Sequence, residues 1–231
     1  MLTVWIDRLI NLFKWPVAFL SLSNLWFLVL KDVDLVLRTL NENHQNFWIG
    51  LVVYLLVWRF FLASRLFGSW FPTFIHECIH VLFAILTLHR IIDFSVSWNK
   101  GGHVQYVGGV GNWLIVIAPY FFPLATLMAV AIESTFPLAD KRSMVLGACF
   151  GFEIVYVWRQ IHPQQPDFQM VGLPFVWMFL PGAILFGYGL LLSYVLLGTS
   201  GASSFAISVF SNSEVMMHSL VDLVREQIQS L

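Results

Sequence analysis

Long apolar runs broken by short polar clusters dominate this chain, and their lengths suit a bilayer. Residues 15–30 (WPVAFLSLSNLWFLVL) are apolar but short, about 24 Å as a helix against a hydrocarbon core of about 30 Å. They thin the bilayer, run on toward Leu37 past Lys31, Asp32 and Asp34, or re-enter. Residues 46–63 are a firmer span, with Arg59 near enough to its end to snorkel. A third run, 71–88, opens with Pro72 at a position suited to a first helical turn. The period then changes. Ile92, Phe94, Val96 and Trp98 alternate, Asn99-Lys100-Gly101-Gly102 supplies a turn, and His103-Val104-Gln105-Tyr106 follows, which predicts a β-hairpin. Further runs cover 110–132, bent by Pro119 and Pro123, then 144–160, then 171–197 with Pro174 and Pro181.

The pattern predicts an all-α polytopic membrane protein of about six transmembrane segments with a short membrane-associated β-hairpin. Residues 1–14 place Trp5, Leu9, Leu12 and Phe13 apart from Asp7, Arg8 and Asn11, as an interfacial amphipathic helix does. Residues 198–213 read as a Gly/Ser-rich linker, and 214–231 as an amphipathic helix with Leu220, Leu223, Val224 and Ile228 on one stripe. Three parts are therefore expected: the helix 1–14, a transmembrane domain 15–197, and a linker with terminal helix 198–231. Truncation after Gly201 is expected to leave the spans folded.

Composition sharpens the membrane reading. Of 231 residues, 58% are apolar and 11% charged, less than half the charge of a typical soluble domain; mean hydropathy is +0.78. A net charge of −1 offers no basic face for nucleic acid. Ten Trp and 22 Phe suit a lipid-facing exterior with interfacial belts. With six spans, Lys and Arg divide seven to five between the two faces, which favours a cytoplasmic N-terminus. Cys78 and Cys149 form neither a disulfide framework nor a metal-binding cysteine pair.

The third run carries the chemistry. His76-Glu77-Cys78-Ile79-His80 matches HExxH. On a helix, i and i+4 share a face, so both imidazoles reach one metal with the Glu beside it. Ionisable groups within a span are costly, so three in five residues call for a shared partner. The other reading is a His/Glu hydrogen-bond cluster or proton relay. Catalytic zinc takes three protein ligands and leaves one position open, so a third ligand is needed. Asp167 is the first choice, because it lies in a Pro-broken, non-helical stretch between apolar runs, and irregular backbone is tolerated at depth where it lines a polar site. His162 and Glu153 come next, then His103 and Glu133.

Those motifs together carry a resemblance. HECIHVLF, the hairpin GGHVQYVGG, WLIVIAPYFFPL and an Asp before the last long run make residues 70–185 similar to the site-2 protease family of intramembrane zinc metalloproteases, in its compact bacterial branch. The resemblance implies one Zn2+ held by His76, His80 and Asp167, with Glu77 as general base. It implies hydrolysis of a peptide bond in or near a transmembrane segment of a membrane protein substrate, at the bacterial inner membrane. Substrate pairing with the edge of the hairpin, residues 92–106, is implied as well. Two departures stand out. Pro166-Asp167-Phe168 replaces the family's Leu-Asp-Gly, and Ala118-Pro119-Tyr120-Phe121-Phe122 replaces its Gly-Pro-x-x-Asn. The group that polarises the scissile carbonyl must then come from elsewhere, with Asn112, His162 and Gln165 in view. The alternative is a protease-like subunit acting as a non-proteolytic scaffold, among partner transmembrane helices in a larger membrane complex. A metal or proton transporter is a third reading, though only two of the seven histidines have ligand spacing.

Overall fold

The computed structural model describes residues 1–42, 44–62, 70–97, 101–135 and 142–229. Helix α1 (Leu2–Leu12) meets α2 (Lys14–Asn41) at Phe13, and α3 (Gln45–Val57) runs on into a π-helical turn at Trp58–Leu62. Helix α4 (Trp70–Leu86) ends where Leu88 takes a left-handed conformation, φ 61°, and strand β1 (Arg90–Ser97) follows. Strand β2 (Gly101–Val107) pairs antiparallel with β1, in a register running from Arg90 opposite Val107 to Ser97 opposite Gly101, with an irregularity at Ile91/Asp93. The expected hairpin is thus present; Trp98, Asn99 and Lys100 lie outside the described residues. Helix α5 (Trp113–Ile117) passes through a 3-10 turn at Ala118–Tyr120 and bends by 73° into α6 (Leu124–Thr135), as expected of a run containing Pro119 and Pro123. Helix α7 (Arg142–Gln160), the short α8 (Pro166–Val171) and α9 (Leu173–Gln229) complete the chain.

Two helix pairs frame the molecule. In one, α3 lies on α7 at backbone distance, because a β carbon at Gly50 would overlap the Met144 carbonyl and one at Gly147 the Phe47 carbonyl. Small residues at such contacts let helices pack by van der Waals fit where lipid removes the hydrophobic drive. In the other, α2 packs on α9, with Gly182 seated against Ser21 and the Ser21 hydroxyl donating to the Phe179 carbonyl at 2.6 Å.

Among the described residues, three helices are long and apolar enough to cross a membrane, or four if the bent α5–α6 pair is one span; the expected count of about six is not confirmed. The described part of helix α4 has 17 residues, about 25 Å at 1.5 Å per residue. Helix α7 carries Glu153, Arg159 and Gln160 in place of an unbroken apolar run.

The expectation that changes is the linker: 199–213 is helical. Gly198 (φ 65°, ψ −148°) breaks α9 and turns it back on itself. Gly201 touches the Ser193 carbonyl, Gly189 touches Phe205, and the Phe186 and Phe210 rings lie 6.5 Å apart; no straight helix allows such contacts at that separation. The serines that suggest a linker in water satisfy themselves here. Ser200, Ser203, Ser208 and Ser213 donate to the carbonyls of Leu197, Thr199, Phe205 and Val209 at 2.7–2.9 Å. Phe205 and Val209 are buried against Leu28. The side chains of Leu220, Leu223, Val224 and Ile228 lie outside the described residues.

The N-terminal helix forms as expected, with Trp5, Leu9 and Leu12 exposed. Its Asp7, however, is fully buried.

Candidate metal centre

Helix α4 buries Ile75, Ile79 and Phe83 against Ile115, Ala118, Phe152 and Tyr156. That seating fixes the rotation of the helix and turns His76 and His80 toward α8. Pro166 opens α8 at its first position, where a missing N–H costs nothing, and Asp167 follows in the first turn. The stretch expected to be non-helical is therefore irregular only through 161–165. The entry of α8 brings the Asp167 carboxylate to the two imidazoles.

Three ligand atoms converge. His76 Nε2 and His80 Nε2 are 3.1 Å apart, and Asp167 Oδ2 is 3.5 Å from the first and 3.6 Å from the second. Donors bound tetrahedrally at the usual zinc distances lie roughly 3.3–3.6 Å from one another. The outward-facing ring atoms are engaged elsewhere. His80 Nδ1 lies 2.8 Å from the Ile115 carbonyl, an acceptor that requires the proton on Nδ1 and leaves Nε2 a free lone pair. His76 Nδ1 lies 3.3 Å from the Tyr156 hydroxyl, and the Tyr120 hydroxyl donates to Asp167 Oδ2 at 2.8 Å. Acceptors facing one another at these separations repel unless a cation or a shared proton lies between them. Two imidazoles and a carboxylate are a donor set of catalytic zinc, so the residues fit the ion.

Glu77 is buried next to this triangle. Strand β2 passes directly over it, since a β carbon at Gly102 would overlap the Glu77 side chain. A cleft of about 440 Å³ joins the groups, with His76, Glu77, His80 and Asp167 on one side and Gly102 and His103 on the other. Val104 and Tyr106 line it too, on the half-buried face of β2 that they share with Gly102.

The other residues singled out from the sequence are dispersed. Gln165 lines the cleft, but its amide donates to the Gln160 carbonyl at 2.9 Å. His162 is exposed and borders a neighbouring depression with Tyr54 and Arg159. Asn112 is buried as the N-cap of α5. Glu153 is buried and accepts from the Thr126 N–H at 3.4 Å, just after the bend into α6. The side chain of Glu133 lies outside the described residues. Sequence reasoning missed Tyr120, Tyr156 and the Ile115 carbonyl, which contact Asp167, His76 and His80. Apolar-looking runs carry no spacing signal for them.

The family model described as Peptidase M50B-like matches residues 47–162. No curated protein and no solved structure matches the chain. The matched stretch contains His76, Glu77 and His80 and stops short of Asp167, which stands on geometry alone.

Proposed function

The chain belongs to the Peptidase M50B-like family, a site-2 protease family domain, and from that premise we propose that it is an intramembrane zinc metalloprotease. Its substrate would be a membrane protein, cut in or near a transmembrane segment, in the bacterial inner membrane to which the compact branch belongs. The observation that carries this reading is the triangle of His76 Nε2, His80 Nε2 and Asp167 Oδ2 with Glu77 beside it.

A zinc ion held by those three residues supplies Lewis-acid polarisation and lowers the pKa of water to about 7. The remaining work belongs to the chain. The Glu77 carboxylate accepts a proton from the attacking water and returns it to the departing amide nitrogen as the carbon–oxygen bond forms and the carbon–nitrogen bond breaks. Gly102 leaves room for that carboxylate under the strand. The edge of β2 offers backbone groups to an extended substrate, since strand addition supplies main-chain hydrogen bonds without demanding a particular sequence. Gln165 and His103 line the cleft and are offered as the polar groups for the scissile carbonyl.

Glu77→Gln separates protease from scaffold. Gln keeps shape and polarity and removes the base, a loss of ~10²–10⁴ in rate. The variant is expected to keep its fold and its zinc while an uncleaved membrane protein accumulates, read by quantitative membrane proteomics. An unchanged proteome, where deletion of the whole protein has a phenotype, would favour the scaffold in a larger membrane complex and end the protease reading.

A further inference from the structure

The one buried side chain of helix α1 is a carboxylate. Asp7 is fully buried, and both its oxygens are engaged by the segment linking β2 to α5. Oδ2 accepts from the Val110 N–H at 2.8 Å and the Gly111 N–H at 3.0 Å, and lies 3.2 Å from His89 Nε2. Oδ1 accepts from the Asn112 side-chain amide at 2.6 Å. The same turn of α1 adds three more links. The Asn11 amide donates to the Gly111 carbonyl at 3.0 Å, the Trp113 N–H donates to Asn11 Oδ1 at 3.3 Å, and the Trp113 indole N–H donates to the Ile10 carbonyl at 2.8 Å. Gly109 has no room for a β carbon between Asp7 and His89.

A continuous hydrogen-bonded chain runs from this anchor to the candidate metal centre. Asn112 donates to Asp7; Asn112 Oδ1 accepts from the Ile115 N–H at 3.2 Å; the Ile115 carbonyl faces His80 Nδ1 at 2.8 Å. Each link fixes the next. Asp7 orients the Asn112 side chain, that side chain holds the first turn of α5, and that turn presents the carbonyl that sets the tautomer and ring plane of His80. A carboxylate buried at this depth is costly unless fully hydrogen-bonded, and here all three hydrogen-bond donors, Val110, Gly111 and Asn112, belong to the segment that leads to His80, with His89 beside them.

We propose that Asp7 is a positioning residue for the metal centre, acting on His80 through Asn112 and Ile115, so that the N-terminal helix is part of the site. This rests on the zinc reading given above. It also gives Asn112 a place in the site, as a link in the support of His80.

The test compares zinc release from purified wild-type protein, Asp7→Asn and Thr3→Val into a chromophoric chelator, with the visible spectrum of the Co(II)-substituted proteins beside it. Asp7→Asn keeps shape but offers one acceptor where three donors converge. Thr3→Val removes a different anchor of α1, the Thr3 hydroxyl to the Leu88 carbonyl at 3.2 Å, and leaves the chain to His80 intact. Outer-shell partners of metal ligands are worth 10–100-fold in affinity. Asp7→Asn is expected to release zinc about 10-fold faster and to shift the cobalt bands, while Thr3→Val matches wild type in both. If Asp7→Asn does not fold, Asn112→Ser, which keeps a helix cap and loses the donor to Asp7, carries the same comparison. Wild-type release and spectrum in the folded variant overturn the proposal, as does equal acceleration by Thr3→Val. A wild-type protein that holds no zinc overturns the metal reading itself and this proposal with it.

Discussion

Gly102 is the point where the strand meets the carboxylate proposed to do the chemistry, and its missing side chain has a consequence for rate. A β carbon there would overlap the middle of the Glu77 side chain and not just its tip, so Glu77 must swing aside to admit even a methyl group. The ligands sit on α4 and α8 and touch Gly102 nowhere in this contact, so the metal triangle has no reason to move. A reacting group displaced by about 1 Å costs on the order of 100-fold in rate. Gly102→Ala is therefore expected to fold, to bind zinc at wild-type stoichiometry, and to lose about 100-fold in turnover of a membrane substrate. Full activity in this variant would mean that Glu77 has another place to stand and that β2 does not set its position. The backbone itself is no obstacle to alanine, since no left-handed φ is required at 102.

Between elements, the fold-back of α9 makes the strongest claim. The arm after Gly198 buries Phe205 and Val209 against Leu28 of α2. It also completes a polar cluster in which Asn24 donates to the Ser213 hydroxyl at 2.8 Å and Asn212 donates to Asn24 Oδ1 at 2.9 Å. Removing the arm would bare an apolar seam and strip Asn24 Oδ1 of its donor, leaving the amide only its bond to the Leu20 carbonyl at 2.9 Å; a polar group left unsatisfied costs about 1–3 kcal/mol. Truncation after Gly201, harmless if the segment were a linker, is thus expected to lower the melting temperature and protein yield together. Asn24→Leu in the truncated chain should recover part of the loss, by removing the side-chain oxygen left without a donor. A truncated protein that melts like the full chain would show that the arm is an appendage. The same scale explains why Glu153 drew attention from sequence without reaching the metal triangle. A bent helix pair leaves backbone N–H groups open at the start of α6, and Glu153 accepts from Thr126 there. A buried acid in an apolar run signals a polar need, and helix capping meets that need as well as metal ligation does.

For the molecule as a whole, the HExxH spacing, the hairpin and the proline bend were legible because each is a local pattern with one local geometry. The terminal arm was not, because it depends on how distant segments meet. The serines of 199–213 read as solvated until their hydroxyls are seen turned onto their own helix. Asp167 stands between these cases. The sequence offered it as one acid among several, and only the packing of α8 against α5 and the Tyr120 hydroxyl brings it to the histidines. That long-range assembly yields a measurement on the entire fold. The three candidate ligand atoms come from two helices far apart in sequence, so an ion held by them would bind the folded chain much better than the unfolded one. Such an ion stabilises by about 2.7 kcal/mol at one hundred times its dissociation constant. For a chain of this size that corresponds to a rise of several degrees, at roughly 2–4 °C per kcal/mol. Zinc added to chelator-stripped protein is expected to raise the melting temperature by that amount. Asp167→Ala and His80→Ala should each abolish most of the rise, whereas Glu77→Gln, which removes no ligand, should keep it. A cluster held by a shared proton would instead melt at one temperature with chelator or with zinc. That single melting temperature, found in the wild-type protein, would remove the metal and leave the hydrogen-bonded cluster in its place.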